Sequence, residues 1–173
     1  MKTYDSEPLK VNSQERTDNG EKEEVSMIAT ASNVLAVAIG GGLGALGRYG
    51  IAVAMTQSSI AKPIHAATQF VGGGASFATT LANLLGCLLL GVLYQWTENM
   101  AATAQTPLDP RMMLAIRVGF LGSLTTFSTL IGDAALLGIN GRPSPSLVLM
   151  SVNLVGGWLL FLAAAATFRG VFS

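Results

Sequence analysis

The amino-acid sequence predicts an all-α integral membrane protein of four spanning helices, and three observations carry that prediction. Charged residues make up 12% of the 173-residue chain, against about 25% in an ordinary soluble domain. The mean hydropathy is positive, at +0.51. The apolar residues also gather into four runs of the roughly 20 residues that a helix needs to cross a bilayer. Backbone polar groups in lipid must bond within their own segment, so these runs are read as helices. They are too continuous for the alternating strands of an outer-membrane barrel.

The chain opens on a polar stretch. Residues 1–24 hold Lys2, Lys10, Arg16 and Lys22 against seven acids, whereas residues 25–173 hold six basic and three acidic side chains. Its acidic start, with Glu21, Glu23 and Glu24 directly before the first apolar run, is unlike a signal peptide, which begins basic. The composition predicts a disordered tail over 1–26, followed by a membrane domain over 27–171. A partner-binding role for the tail stays open.

The first span is expected over 30–55, with Arg48 towards its far end. The next charge-free stretch runs from 63 to 97. Its Gly72-Gly73-Gly74 run reads as a loop and Phe77–Trp96 as the second helix, with Tyr94 and Trp96 suited to the interface. Residues 97–110, with Glu98, Pro107, Asp109 and Pro110, form a polar connection. The third hydrophobic segment extends from Met112 to about Ile139 and contains Arg117 and Asp133. Asn140-Gly141-Arg142-Pro143 signals a turn, and the fourth span covers 146–168, closed by Arg169.

Lys and Arg in short loops set membrane orientation. Four spans place Arg16, Lys22, Arg111 and Arg169 on one side and Arg48, Lys62 and Arg142 on the other. Four against three is almost no bias. A chain so balanced can insert both ways, and two copies could then pack antiparallel.

The glycine-rich run Gly40-Gly41-Gly42-Leu43-Gly44-Ala45-Leu46-Gly47 contains a literal GxGxxG. A dinucleotide site would follow a strand and be answered by an acid about 20 residues on. Here the run lies inside a span, and the next acid is Glu98. Gly40 and Gly44 instead form a GxxxG pair, the pattern of close helix packing.

In the third span, Gly119-Phe120-Leu121-Gly122-Ser123-Leu124-Thr125-Thr126-Phe127-Ser128-Thr129 places two glycines and five hydroxyls at mid-depth. Ser and Thr compete with the helical ladder. Two outcomes stay open: a break in the helix, or a continuous helix whose hydroxyls bond back to i−4 carbonyls. A break would survive only when buried in protein or lining a cavity. Asn83 in the second span can donate two hydrogen bonds to an anion or make a structural bond between helices. Asn153 in the fourth span faces the same choice, and the structural role is expected of it. Arg117 can snorkel or meet a pore. The lone His65 has no companions for a metal site, the single Cys87 excludes a disulfide framework, and no large basic patch points to nucleic acid.

These residues resemble the CrcB-type, or Fluc, fluoride channels over about 34–170. The resemblance rests on Gly40-Gly41-Gly42-Leu43-Gly44-Ala45 followed by Arg48-Tyr49, on Thr80-Leu81-Ala82-Asn83-Leu84-Leu85-Gly86, and above all on the run from Gly119 to Thr129. It implies an antiparallel dual-topology dimer in the cell membrane with two fluoride pores. It implies a break in the third helix and a structural Na⁺ at the dimer centre, held by the backbone carbonyls of Gly122 and Thr125. Asn83 corresponds to the pore asparagine and Phe127 to the first phenylalanine of an aromatic box. Thr126, Ser128 and Ser151 would supply hydroxyls to the anion, with Arg48 and Asp133 at the vestibule. The family's second phenylalanine falls at Leu130, which implies altered conductance or a heterodimer with a sister chain. Passive fluoride export follows from the resemblance. The resemblance implies no enzyme activity.

Rival readings are distinguished by side chains. A proton-coupled multidrug transporter, also a four-span dimer, needs an acid in the first span, and none occurs between Val25 and Glu98. An intramembrane hydrolase needs a nucleophile with its base, and His65 is the only histidine. A non-transporting subunit of a heterodimer is kept open by Leu130.

Overall fold

A computed structural model describes residues 13–57, 68–103 and 108–171. The described chain is helical and contains four helical segments long and apolar enough to cross a membrane: Glu24–Gln57, Gly74–Ala102, Pro110–Ile139 and Pro143–Arg169. His65 and Lys62, in the first connection, lie outside the described residues.

Helix α1 spans Ser13–Gln57, which at 1.5 Å per residue is about 65 Å, roughly twice the hydrocarbon thickness. The sequence assigned 1–26 to a disordered tail. Residues 13–26 carry helical backbone instead, while residues 1–12 lie outside the described ones. This stretch is rich in Glu, Lys, Gln and Arg, which lose little side-chain freedom in a helix. Continuity with an apolar helix also removes the cost of a separate nucleus.

The second helix, α2, covers Gly74–Ala102, longer at both ends than the expected 77–96. A short turn at Gln69–Val71 precedes it, and Gly72 and Gly73 have φ of 100° and 97°. Only glycine adopts those values without strain, so the glycine run reverses the chain into α2. The third span starts with α3, Pro110–Leu114, whose first turn is capped by the Asp109 carboxylate accepting from the Arg111 N–H at 2.7 Å. It widens into a π-helical stretch, Ala115–Leu121, and regains α geometry over Gly122–Leu124, here α4. Thr125 and Thr126 then have extended backbone, with ψ of 155° and 116°, before α5, Phe127–Ile139. The fourth span comprises α6, Pro143–Ser151, a second π stretch, Val152–Gly156, and α7, Gly157–Val171.

Glycine decides how the helices approach. A Cβ on Gly40 would run into the Ala115 carbonyl, and one on Gly44 into the Phe120 carbonyl; Gly119 meets α1 from the other side, against Val37. The GxxxG pair thus seats α1 against the third span. In the same way, Gly86 of α2 faces the Thr125 side chain and Gly91 faces the backbone of Phe161. Helices α2 and α7 also pack Tyr94 on Phe161, ring centroids 5.8 Å apart. A compact apolar cluster of Val71, Leu130, Ala134, Leu137 and Leu149, joined by Phe77 and Met150, ties α5 to α6 and the first turn.

Candidate functional site

The two extended residues lie beside two cavities. The first, about 320 Å³, is lined by Asn83 and Cys87 of α2, by Arg117, Gly122, Thr125, Thr126, Phe127 and Leu130 of the third span, and by Asn153 and Leu154 of the fourth. The second, about 380 Å³, is lined by Arg48, Tyr49 and Thr56 of α1, Thr79 of α2, and Thr126, Thr129 and Asp133 of the third span. Thr126 belongs to both.

The geometry at Thr126 follows from where backbone hydrogen bonds go. In a continuous helix the Thr126 N–H would donate to the Gly122 carbonyl. Here it donates to Asn83 Oδ1 at 2.8 Å. Asn83 Nδ2 in turn donates to the Thr126 carbonyl at 3.2 Å and to Asn153 Oδ1 at 2.9 Å. One asparagine therefore clasps both backbone groups of a residue that has left the ladder. The next helix is restarted by Thr126 itself: its Oγ1 accepts from the Thr129 N–H at 3.3 Å and donates to Thr129 Oγ1 at 3.0 Å. This is an N-cap, which supplies one of the donors' missing partners at a helix start. The Thr129 N–H would otherwise serve the Thr125 carbonyl. Gly122 and Thr125 thus both lose the donor that a regular helix would give their carbonyls.

The predicted site residues divide into two groups. Asn83, Thr126 and Phe127 share the first cavity with Gly122 and Thr125, and Ser128 Oγ lies 3.4 Å from Thr126 Oγ1. Phe127 is 67% exposed, so its ring is open to whatever meets this face. Arg48 and Asp133 share the second cavity, where Asp133 accepts from Thr79 Oγ1 at 3.2 Å. Ser151, by contrast, is exposed and lines neither cavity. Asn153, two residues on and 7% exposed, is the fourth-span polar group in the first cavity. The sequence expected a structural bond of Asn153, and its contacts with Asn83 and Thr80 are of that kind, since a lone amide in hydrocarbon costs ~2–7 kcal/mol.

Leu130 stands at a boundary. It lines the first cavity but is only 2% exposed and belongs to the apolar cluster with Leu137 and Leu149. A phenyl ring introduced there must displace packed neighbours. Leu130→Phe is therefore expected to destabilise the fold by about 1–3 kcal/mol, read as a melting temperature several degrees lower in detergent. An unchanged melt would show that the ring swings into the cavity instead.

Comparison with known proteins fits this architecture. Residues 35–166 match the family described as CrcB-like protein, Camphor Resistance (CrcB). A protein of Rhodopirellula baltica, named fluoride-specific ion channel FluC, is 43% identical over 145 residues, covering 80% of this chain and 94% of the relative. Fluoride-specific ion channel FluC 2 of Thermobifida fusca is 38% identical over 130 residues, covering 75% and 83%. The FluC protein of an Enterobacter species is 34% identical over 127 residues, covering 73% and 86%. With four apolar spans and a match that takes in the residues lining both cavities, the chain is a multi-pass membrane protein and belongs to the CrcB-like family.

Proposed function

We propose that this protein is a fluoride channel that lets the ion leave the cytoplasm passively. The observation that carries the reading is the interruption at Thr125–Thr126, which stands between a cavity bearing Arg48 and a cavity bearing Asn83 and Phe127. Similarity to relatives named fluoride-specific channels supports the choice of ion. The interruption is the working break of the third span, since non-helical backbone at membrane depth belongs where it lines a cavity.

The chemistry suits a small, strongly hydrated anion, which gives up water only for close substitute donors. Arg48 attracts it at the second cavity. Hydroxyls of Thr126, Ser128 and Thr129 follow, then the positive edge of the Phe127 ring, beside the Asn83 amide that holds Thr126 in place. Weak donors in series permit release as well as entry, which conduction requires. Ser151, which lines neither cavity, is left out of this path, and Asn153 reaches the first cavity as the partner of Asn83. Asp133, held by Thr79, sets the charge of the second cavity.

The Gly122 and Thr125 carbonyls, left without their helical N–H partners, are the ligand type that suits Na⁺. Broken helices commonly hold cations in this way. Bound there, Na⁺ would add fixed positive charge beside the anion path. The nearly balanced loop charges favour an antiparallel dual-topology homodimer. Leu130, in place of the family's aromatic residue, favours a sister chain as the second reading.

The test is fluoride efflux from liposomes containing the purified chain alone. Fluoride flow with chloride excluded is the expected result. Flow only with a sister chain present would establish the heterodimer. No selective fluoride flow in either case would end the channel reading.

A further inference from the structure

We propose that Asn153 is a positioning residue for the third span: through Asn83, it fixes the amide that holds Thr126 extended. Two groups at the ends of this network can play only one part each. The Leu149 carbonyl can only accept, and Asn153 Nδ2 donates to it at 2.9 Å. The same nitrogen donates to Thr80 Oγ1 at 3.0 Å, and Thr80 passes its own hydrogen to the Ser76 carbonyl at 3.0 Å. These bonds place Nδ2 of Asn153 away from α2's amide and leave Oδ1 facing Asn83.

That oxygen then decides the orientation of Asn83. Facing an acceptor, Asn83 must present Nδ2, as it does at 2.9 Å. Its Oδ1 is thereby turned to the Thr126 N–H, a group that can only donate. A flipped Asn83 would oppose oxygen to oxygen at Asn153 and nitrogen to nitrogen at Thr126. The chain of polarity runs without ambiguity from Leu149 in the fourth span, through α2, to the extended residue in the third. Every amide position in it is satisfied, which makes the network rigid rather than adaptable. The π stretch that contains Asn153 fits this role, because such insertions re-aim side chains at functional sites.

One consequence is that both N–H bonds of Asn83 are already engaged, with the Thr126 carbonyl and with Asn153. In this arrangement Asn83 shapes the path before it contacts an ion. This inference rests on the reading of Thr125–Thr126 as the working break, but it can be tested without any ion flow.

The experiment follows exchange of the Thr126 amide hydrogen in nitrogen-15-labelled protein in detergent micelles. Asn153→Leu keeps the volume and removes the polarity. It is expected to speed exchange at Thr126 by about tenfold, the worth of one lost hydrogen bond, while α7 amides such as Leu162 stay unchanged. Unchanged exchange in Asn153→Leu overturns the proposal. So does equal acceleration at Thr126 and Leu162, which would mark a general loosening. If Asn153→Leu yields no folded protein, Asn153→Ala carries the same expectation. A wild-type chain that passes no fluoride would remove the channel reading and leave these outcomes decisive for the amide network.

Discussion

Asn83→Asp should lower fluoride efflux from proteoliposomes by about a hundredfold while the protein still folds. The substitution keeps one of the three bonds at this position. An aspartate oxygen can still accept from the Thr126 N–H, as Asn83 Oδ1 does. The second oxygen replaces a nitrogen that donates to both the Thr126 carbonyl and Asn153 Oδ1. Two attractive contacts become contacts between acceptors. Each buried polar group left without a partner costs about 1–3 kcal/mol. A carboxylate that stays ionised also places a negative charge where an anion must pass. A barrier raised by about 3 kcal/mol slows passage about a hundredfold. Asn83→Ala separates the two causes: it removes the clasp without adding charge, so its loss should be smaller than that of Asn83→Asp. Efflux from Asn83→Asp within a few-fold of the wild type would take Asn83 out of the conduction path.

The parts of this site differ in how far the sequence alone could reach. The four spans were legible because lipid imposes a simple rule, a charge-free run of sufficient length, and the chain obeys it. The ends were less so. Residues 13–26 continue helix α1 because polar helix formers can extend an apolar helix, and composition alone does not distinguish them from a disordered tail. The hydroxyl-rich run from Ser123 to Thr129 signalled competition with the ladder, but the competitor lay elsewhere. It is Asn83, 43 residues away in sequence, that takes the Thr126 N–H. No local pattern contains that bond. Ser151 came from the resemblance alone and lines neither cavity, whereas the structural bond expected of Asn153 is present in its contacts with Asn83 and Thr80. Leu130 shows a further limit. Alignment places it where an aromatic ring is expected, but only the packed structure reveals that it also completes an apolar cluster.

The other large effect is expected from a single methyl group on α1. Gly44→Ala should destabilise the folded protein by about 3 kcal/mol, whereas Gly42→Ala, half a turn away, should leave it unchanged or slightly more stable. Both substitutions add the same group to the same helix, and away from contacts alanine is favoured over glycine by about 1 kcal/mol. The difference lies in what the methyl meets. At Gly44 it would collide with the Phe120 carbonyl, backbone that cannot rotate aside; at Gly42 nothing stands within 4 Å. Relief at Gly44 requires the third span to back away from α1. That motion would shift Phe120 and Leu124, whose backbone faces Gly44, and hence the residues just before the extended Thr125. The loss should therefore appear twice, as a lower melting temperature and as reduced fluoride efflux from whatever protein remains folded. Gly40→Ala, facing the Ala115 carbonyl, should reproduce the lower melt. If Gly44→Ala and Gly42→Ala melt together, the close approach of α1 to the third span is not what holds these helices in place.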